Sequence, residues 1–320
     1  MRPVVIVLGS VDEPPPGIDE ARKLAEIRPA TGEDELRGAL PGADAVFGWE
    51  YDPSLLPSVW DAAGDLRWIQ TASAGVDRLL FPGLVESDIV VTNARGVFDE
   101  PIAEWALAAI LAFATELGNS VRDTVAHRWH HRTTERAEGK CLLVIGPGPI
   151  GRAAGRLARG VGMEVEAVGT RARGPEEPFQ RIHGPASFHE ALGAADYVLD
   201  AMPLTPQTNR AFDARAFAAM KPSARFLNVG RGGTVDTEAL VDALRRGAIA
   251  GAALDVFEEE PLPEANPLWS LPNVIVSPHM AGDVADWEER VVEVFLDNLA
   301  RFADGQTLRN VIDKERGFGA

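Results

Sequence analysis

The sequence has almost no cysteine and few basic residues. Its one cysteine, Cys141, cannot form a disulfide within the chain, so no oxidising compartment is required. The 31 Lys and Arg residues stand against 48 Asp and Glu residues, a formal net charge of -17 over 320 residues, and no run of Lys or Arg forms a basic patch. A chain with this field repels nucleic acid and anionic membranes, so we expect neither as a partner.

Long hydrophobic runs are absent as well. The most apolar helical stretch, residues 102–114, is interrupted by Glu104 and is shorter than a membrane span. Residues 1–8 contain a short apolar run without a small-residue cleavage site behind it, which indicates a first β-strand rather than a signal peptide. There is no internal repeat or low-complexity segment. We therefore expect a cytoplasmic protein.

The rest of the composition is that of an ordinary globular protein, with 46% hydrophobic and 25% charged residues over a length that suits about two domains. Short apolar runs alternate with segments that carry apolar residues at helical spacing, which is typical of parallel sheets covered by helices. Strands are predicted at residues 4–8, 45–48, 67–70, 90–92, 141–145, 164–168, 197–200, 225–229, 250–256 and 274–277.

Two segments have the pattern of crossings between domains. Residues 96–101 are a predicted loop followed by an apolar helix from Ile102 to about Leu117. Residues 278–286 are a predicted loop followed by a helix from about Trp287 to Phe302. The prediction is an α/β fold with a split outer domain, residues 1–98 and 286–320, and a middle domain, residues 99–285.

A glycine motif follows the predicted strand at residues 141–145. Its order is Gly146-Pro147-Gly148-Pro149-Ile150-Gly151, a G-x-G-x-x-G, and a helical pattern begins near Arg152. Glycines there permit a tight turn, close approach of a pyrophosphate and helix-on-strand packing, and the helix N-terminus then faces the phosphates. We interpret the motif as a dinucleotide site; the alternative is an ordinary glycine-rich turn. Pro149 lacks an N–H donor but is well tolerated in a first helical turn.

The next predicted strand bears on which dinucleotide is bound. An NAD site usually has an acid there that holds the ribose 2′-hydroxyl. Residues 164–168 are instead followed by Gly169-Thr170-Arg171-Ala172-Arg173, with no acid and two arginines. Arginine matches a 2′-phosphate in charge and in fork geometry, so NADP(H) is the preferred cofactor, with NAD(H) as the second choice. The alternative is that Arg171 and Arg173 are ordinary surface residues, because 27 of the 31 basic residues are Arg.

Three further segments place reactive side chains just after predicted strands. Arg231 lies among glycines in residues 228–236, Glu260 follows Asp255 in residues 255–262, and His279 lies in residues 277–282. In open α/β sheets the ligand crevice lies beyond the carboxyl ends of the strands, so Arg231, Glu260 and His279 are expected to converge there. Taken singly, each has an ordinary alternative as a surface or loop residue.

These segments and the glycine loop resemble the D-isomer-specific 2-hydroxyacid dehydrogenase family over nearly the whole chain. The resemblance includes Thr-Ala-Ser-Ala-Gly-Val-Asp at residues 71–77, Asn-Ala-Arg-Gly-Val at 93–97 and Pro-Leu-Thr-Pro-Gln-Thr at 203–208. The arginine, glutamate and histidine stand in the family's order and spacing. In lacking an acid after the second cofactor strand, the sequence resembles the NADPH-preferring glyoxylate/hydroxypyruvate reductase-like branch of the family. The proline pair Pro147 and Pro149 is the main departure.

The resemblance implies two Rossmann-like or flavodoxin-like domains with parallel sheets, the active site in the cleft between them, and a homodimer. The outer domain would bind the substrate and the middle domain the dinucleotide. The implied reaction is reduction of a small 2-oxo acid, such as glyoxylate or hydroxypyruvate, to the D-2-hydroxy acid by hydride transfer.

The residue types suit this chemistry. Arg231 can bind the substrate carboxylate or carbonyl oxygen with its planar fork. His279 is the expected general acid for reduction and base for oxidation, since the unperturbed pKa of histidine lies near neutrality. Glu260 would orient the imidazole and raise its pKa.

Further binding residues are expected around these three. Backbone amides of Ser73, Ala74, Gly75 and Val76 would hold the substrate carboxylate. Trp49, Tyr51 and Arg95 are candidates for the pocket wall, with core packing as the alternative for Trp49. By the resemblance, Asp255 would lie near the nicotinamide carboxamide. The expected cofactor contacts are Gly146, Gly148, Pro149, Ile150, Gly151, Thr170, Arg171, Arg173, Pro203, Thr208, Val229, Gly230, Asp255 and Gly282.

Two other functions stay open. The family contains corepressors that keep the cofactor fold but act through protein contacts, so one alternative is a dinucleotide-sensing binding protein without turnover. The other is an NAD(P)-dependent formate- or phosphite-type dehydrogenase. His127, His130 and His131 surround Trp129 in a polar stretch without a Cys or acid at ligand spacing, so no metal site is expected. Cys141 is expected to be a small buried residue at the start of a strand.

Overall fold

The computed structural model describes residues 2–9, 14–49 and 52–319. The chain divides into two units, one made of residues 1–98 and 283–320 and the other of residues 99–282. The first boundary lies at residue 98, as in the sequence prediction, and the second at residue 282, where the sequence placed it at 285. Both units are α/β structures.

The first unit begins with strands β1 (Val4–Leu8), β2 (Glu26–Ala30), β3 (Ala45–Gly48), β4 (Trp68–Thr71) and β5 (Val90–Thr92), and with helices α1 (Ile18–Leu24), α2 (Glu33–Ala39), α3 (Leu55–Ser58) and α4 (Pro82–Glu86). The strands are parallel and lie in the order β2-β1-β3-β4-β5. Every residue of β3 and β4 is buried, as expected for inner strands of a parallel sheet.

The second unit contains helices α5 (Asp99–Ala114), α6 (Leu117–Val125), α7 (Pro149–Gly160), α8 (Phe188–Ala194), α9 (Ala214–Ala219) and α10 (Thr237–Arg246). Its strands are β6 (Cys141–Ile145), β7 (Glu164–Val168), β8 (Ile182–His183), β9 (Tyr197–Asp200), β10 (Arg225–Asn228), β11 (Gly251–Leu254) and β12 (Val274–Val276). The seven strands are parallel in the order β12-β11-β10-β9-β6-β7-β8.

Strand β6 explains why the sequence pattern is so strong at residues 141–145. It lies between β9 and β7, near the middle of the sheet. Leu143 and Ile145 belong to the apolar core on one face, and Leu142 and Val144 to the core on the other. A strand that is buried on both faces needs a continuous apolar run rather than an alternating one.

The chain returns to the first unit with α11 (Trp287–Ala303) and a small antiparallel pair, β13 (Ile312–Asp313) and β14 (Phe318–Gly319). Phe295 of α11 stacks on Phe47 of β3 with ring centroids 4.1 Å apart. This aromatic contact joins the C-terminal segment to the sheet of the same unit.

The structure corrects the prediction for residues 96–117. Helix α5 begins at Asp99 rather than Ile102, because Pro101 lies in the first helical turn, where a missing N–H loses no hydrogen bond. The helix ends at Ala114 rather than Leu117. Glu116 has a φ of 51°, a left-handed conformation that interrupts a helix, and α6 starts after it.

Strands β2 and β8 of the two parallel sheets had no sequence signal, and neither did the short pair β13 and β14; β2 and β8 lie at the edges of their sheets. Strand β2 contains Pro29 and two exposed residues, so it has no apolar run. Strand β8 is only two residues long. Edge strands are often short or interrupted by proline because one side lacks a partner, and such strands carry little pattern.

Among the described residues, no single helix has the length and hydropathy needed to cross a membrane. Helices α5 and α6 pass that test only when joined, and they meet at a bend of 69°. Ala103, Ala106 and Ile110 of α5 are buried in the same apolar cluster as Leu142 and Val144. The cytoplasmic location stays a prediction.

Candidate active site

The glycine loop joins β6 to α7, and two of its glycines are required by close contacts. Gly146 has a φ of 98°, and a Cβ there would lie 2.8 Å from the carbonyl oxygen of Ala201. A Cβ on Gly151 would overlap the carbonyl oxygen of Gly146 and the side chain of Val144. A larger residue at either position would displace the backbone, so the sharp turn depends on glycine.

Gly148 faces open space instead. It is exposed, and no heavy atom lies within 4 Å of the position that its Cβ would take. It is the N-cap of α7 and has no side chain to occupy the first-turn amides; Pro149 follows it and Ile150 is half-buried. The positive end of the helix is therefore open at Gly148, where no side chain covers the backbone, and this fits a pyrophosphate.

The segment after β7 carries exposed arginines. Thr170, Arg171 and Arg173 are all exposed. Arg173 Nη1 lies 3.1 Å from Glu176 Oε2, whereas Arg171 makes no ion pair with another described residue. A cavity of about 640 Å³ beside β7 and β8 has Arg173 and Arg181 in its wall. The Arg171 guanidinium is thus available to an anion, whereas the Arg173 guanidinium is already paired with the Glu176 carboxylate.

The other expected cofactor residues follow neighbouring strands. Because β6, β9, β10, β11 and β12 are parallel, the segments after them emerge at one edge of the sheet. Thr208 Oγ1 donates to the Pro203 carbonyl at 2.6 Å and so closes the loop after β9. A Cβ on Gly230 would lie 2.6 Å from the Met202 carbonyl oxygen. Val229 and Gly282 are buried.

Arg231 lies in the turn after β10, and Asn228 holds that turn. The Asn228 side chain accepts a hydrogen bond from the Gly230 amide at 3.0 Å and donates to the Arg231 carbonyl at 3.1 Å. Arg231 Nη1 donates to the Gly230 carbonyl at 2.8 Å. A Cβ on Gly232 would overlap the backbone of Phe257. Asn228 was not among the predicted site residues; the signal that could have identified it is a polar residue at the end of a buried strand.

His279 and Glu260 form the central pair. His279 Nδ1 lies 2.8 Å from Glu260 Oε2, and Glu260 Oε1 accepts a hydrogen bond from the Phe257 amide at 2.9 Å. The His279 side chain is 52% exposed, and its Nε2 makes no hydrogen bond to a described residue. One ring nitrogen is therefore fixed by the carboxylate while the other is free to exchange a proton with a ligand.

The electrostatics of the pair favour a charged imidazole. The hydrogen bond that His279 donates to the Glu260 carboxylate raises the pKa of His279 above its ordinary value, against the effects of burial and of the Arg231 charge. Burial raises the pKa of Glu260, but the bonds from His279 and Phe257 outweigh it, so this pKa lies below its ordinary value. Because the Arg231 charge acts on both groups, the three side chains share one electrostatic environment.

Asp255 organises the segment that carries His279. Its buried carboxylate accepts hydrogen bonds from the Ser277 hydroxyl at 2.6 Å and from the Met280 and Ala281 amides at 3.0 and 3.1 Å. Its carbonyl accepts from the His279 amide at 2.8 Å. These bonds hold His279 at a φ of 53°, which is uncommon for a residue other than glycine. The placement of Asp255 near a carboxamide stays a prediction.

The residues expected to bind the substrate carboxylate form a loop after β4 in the first unit. The Ser73 hydroxyl donates to the Gly75 carbonyl at 2.6 Å, and the Ser73 carbonyl accepts from the Ala94 amide at 3.0 Å. The amides of Ala74, Gly75 and Val76 donate no hydrogen bond to a described residue. Ser73 is exposed, whereas the Val76 side chain is buried in the core. The loop therefore presents a row of donors on a fixed backbone.

The candidate wall residues differ in their surroundings. Trp49 is buried and stacks on Trp287 with ring centroids 5.7 Å apart, so it packs in an aromatic core of its unit. Arg95 is half-buried and its guanidinium lies against the backbone of Gly319. Tyr51 lies outside the described residues.

The remaining residues singled out in the sequence are the other histidines and the cysteine. His127, His130 and His131 are exposed, as is Trp129. No group of three or more side chains that could hold a metal occurs in the described part of the chain. Cys141 is half-buried, and burial with the nearby Glu166 and Asp196 raises its pKa to about 11, so its thiol stays protonated at neutral pH.

Comparison with known proteins places this site in a family. Residues 107–281 match the family model described as D-isomer specific 2-hydroxyacid dehydrogenase, NAD binding domain. The chain is 32% identical to a glyoxylate reductase from Thermococcus gammatolerans, covering 98% of this chain and 97% of that protein.

Solved structures agree with this. An NADPH-dependent glyoxylate/hydroxypyruvate reductase from Sinorhizobium meliloti, in complex with NADP and sulfate, has a TM-score of 0.84 and 26% identity over 99% of this chain and 100% of its own. A D-isomer specific 2-hydroxyacid dehydrogenase from Xanthobacter autotrophicus, in complex with NADPH and MES, has a TM-score of 0.83 and 27% identity, with the same two coverages. The chain therefore belongs to the D-isomer specific 2-hydroxyacid dehydrogenase family of NAD(P)-dependent oxidoreductases.

Proposed function

We propose that this protein reduces a small 2-oxo acid of the glyoxylate or hydroxypyruvate type to the D-2-hydroxy acid, with NADPH preferred over NADH. The observation that carries the proposal is the 2.8 Å pair of His279 and Glu260, with the other imidazole nitrogen free and the Arg231 charge acting on both residues. The unit of residues 1–98 and 283–320 is assigned to substrate binding, and the unit of residues 99–282 to the dinucleotide.

Each residue has one task in this reaction. Arg231 binds the substrate carboxylate or carbonyl oxygen, and the open amides of Ala74, Gly75 and Val76 suit a carboxylate. Protonated His279 donates its Nε2 proton to the carbonyl oxygen as that oxygen gains charge, and in the oxidation direction neutral His279 accepts the hydroxyl proton. Glu260 holds the ring and stabilises the imidazolium.

The cofactor is assigned to the glycine loop and the segments beside it. When bound, a nicotinamide dinucleotide supplies or accepts the hydride. Gly146 and Gly151 permit the tight turn, Gly148 gives the pyrophosphate access to the α7 N-terminus, and the 2′-phosphate of NADP is assigned to Arg171 with help from Arg173. The segments of Pro203–Thr208, Val229–Gly230 and Gly282 are assigned to the remainder of the cofactor.

The direct test is absorbance of the reduced nicotinamide with glyoxylate, hydroxypyruvate, pyruvate and phenylpyruvate, each with NADPH and with NADH. We expect oxidation with the small acids, faster with NADPH, and the D enantiomer as product. Cofactor binding without oxidation across the panel would replace this proposal with the dinucleotide-sensing protein.

The pH dependence provides a separate prediction. Because Glu260 raises the pKa of His279, the imidazolium needed for reduction persists to higher pH, and kcat/KM for reduction falls as pH rises through that raised pKa. Replacing Glu260 with Gln is expected to move this alkaline limb to lower pH and to reduce kcat by ~10²-fold. Steady-state rates from pH 5 to 10 measure both effects, with Glu259→Gln as the matched control. If the alkaline fall of kcat/KM stayed at the same pH in Glu260→Gln, Glu260 would not control the pKa of His279.

A homodimer is the assembly we propose, on the basis of an exposed apolar stripe. Leu117, Val121 and Val125 lie four residues apart on α6 and are 56%, 58% and 78% exposed, and Trp129 beyond the helix is 100% exposed. Side chains four apart share one helix face, and a two-fold axis would bury the same stripe of both copies against each other.

The double variant Val121→Glu with Val125→Glu is expected to be a monomer, because it places two carboxylates in the apolar stripe of each copy. Light scattering coupled to size exclusion measures the mass. Asn119→Glu, an exposed position on the face of α6 opposite the stripe, is the control and should leave the mass unchanged. A wild-type mass equal to one chain at micromolar concentration would contradict the proposal.

A further inference from the structure

Asp200 is a fully buried carboxyl group that the chemistry above does not use. It is the last residue of β9, paired in register with Ile145 of β6 and Asn228 of β10. Its Oδ1 accepts the Met202 amide at 3.0 Å, and its Oδ2 lies 2.5 Å from the Thr234 hydroxyl oxygen. A buried carboxylate is costly without a cation or several donors, so its protonation state needs an explanation.

The contacts of Thr234 assign that state. Its hydroxyl oxygen lies 2.5 Å from Asp200 Oδ2 and 2.6 Å from the carbonyl oxygen of Arg231, and a hydroxyl has a single proton to donate. If Asp200 were ionised, one of these two short oxygen contacts would contain no proton and would be repulsive. If Asp200 is neutral, it donates to Thr234, and Thr234 donates to Arg231, so both contacts are hydrogen bonds.

The surroundings of Asp200 agree with a neutral acid. Burial is the largest effect on Asp200 and raises its pKa to about 7; hydrogen bonding of the ionised form to Thr234 and Met202 opposes burial, and no charged group among the described residues contributes. Helices α8, α9 and α10 cover the face of the sheet that contains Val198 of β9, and their apolar residues point into the core. Their charged and titratable side chains are exposed: His189, Glu190, Arg215, Glu238, Asp242, Arg245 and Arg246.

We propose that Asp200 is a neutral hydrogen-bond donor that positions the Arg231 turn through Thr234, so that loss of its proton weakens binding of the 2-oxo acid. The inference rests on the substrate-binding role proposed for Arg231. Asp200 does not touch the reacting atoms; it is a positioning residue. The same Arg231 carbonyl also accepts from the Asn228 side chain at 3.1 Å and from the Thr234 backbone amide at 3.2 Å, so the turn has two anchors that do not titrate and one that depends on pH.

The first test measures the proton without any turnover. Because the folded state raises the pKa of Asp200, it binds more protons than the unfolded chain, and the wild type loses stability as pH rises from the acid range to about 7. Asp200→Asn can donate to Thr234 and cannot ionise. We expect its Tm advantage over the wild type to widen from pH 5 to 8.

Asp196→Asn is the matched control at the other end of β9. Asp196 accepts from Lys221 at 2.9 Å and its pKa is lowered, against the effect of burial, so its proton is lost below this range. Its Tm difference from the wild type should stay constant between pH 5 and 8. If the Tm difference between Asp200→Asn and the wild type also stayed constant from pH 5 to 8, the proposal that Asp200 is neutral would be overturned.

The second test measures positioning through the KM for glyoxylate at pH 6 to 9. In the wild type this KM is expected to rise ~3- to 10-fold above pH 7, the effect of one lost hydrogen bond. In Asp200→Asn it should stay flat, while the alkaline fall in kcat from His279 persists in both proteins. Thr234→Ser should follow the wild type, and Thr234→Val should have a raised KM at every pH.

A KM that rises equally in the wild type and in Asp200→Asn would overturn the positioning role. Absence of turnover with any 2-oxo acid would overturn the proposed function and with it that role. The Tm comparison would then still decide whether Asp200 is neutral, so the two failures are distinguishable.

Discussion

His279→Ala is expected to reduce kcat for glyoxylate reduction by ~10³-fold or more, because it removes the proton donor proposed for the carbonyl oxygen. The imidazole Nδ1 is already bonded to Glu260, so the variant loses a fixed donor rather than a mobile surface group. Stopped-flow or steady-state oxidation of NADPH measures the loss. Binding of NADPH, followed by its fluorescence, should stay within a few-fold of the wild type, since the glycine loop is untouched.

His189→Ala is the matched control, an exposed histidine of the same unit on α8. It should behave as the wild type in both assays. Near-wild-type turnover in His279→Ala would remove His279 from the mechanism. Loss of cofactor binding together with turnover would indicate a structural role for the segment that Asp255 organises.

The second large effect concerns cofactor choice. The double variant Arg171→Ala with Arg173→Ala is expected to lower kcat/KM for NADPH by ~10²-fold while changing the value for NADH little, because charge-assisted bonds to a 2′-phosphate are lost only with NADPH. Arg171→Ala alone should account for most of this change, since Arg173 is shared with Glu176 at 3.1 Å. The measurement is kcat/KM for both cofactors at one glyoxylate concentration.

Arg245→Ala with Arg246→Ala is the control for removing two positive charges. Both residues are exposed in the last turn of α10. The control should leave the NADPH-to-NADH ratio unchanged. Equal losses with both cofactors in the Arg171 and Arg173 variant would show that these arginines do not bind the 2′-phosphate.

Much of the second unit was predictable from local pattern. Strand β6, the glycine loop and α7 follow one another without interruption, and the sequence signal for each of them lies within the element itself or next to it. The edge strands β2 and β8 were not predictable, because proline, exposed residues or shortness removed the apolar run. The start of α5 was misplaced because a proline in a first turn and a proline in a loop look alike in sequence.

The sequence by itself determined where the central strands lie along the chain, the position of the glycine turn, and the presence of Arg231, Glu260 and His279 just after strands. Backbone propensity and hydrophobic period are local, so these features need no distant partner. Only the tertiary structure decided that Glu260 lies 2.8 Å from His279, that Asp255 holds the histidine segment, and that Asp200 is fully buried beside Thr234. Hydrogen bonding and desolvation depend on groups from several strands at once, and they set the pKa values on which the chemistry depends.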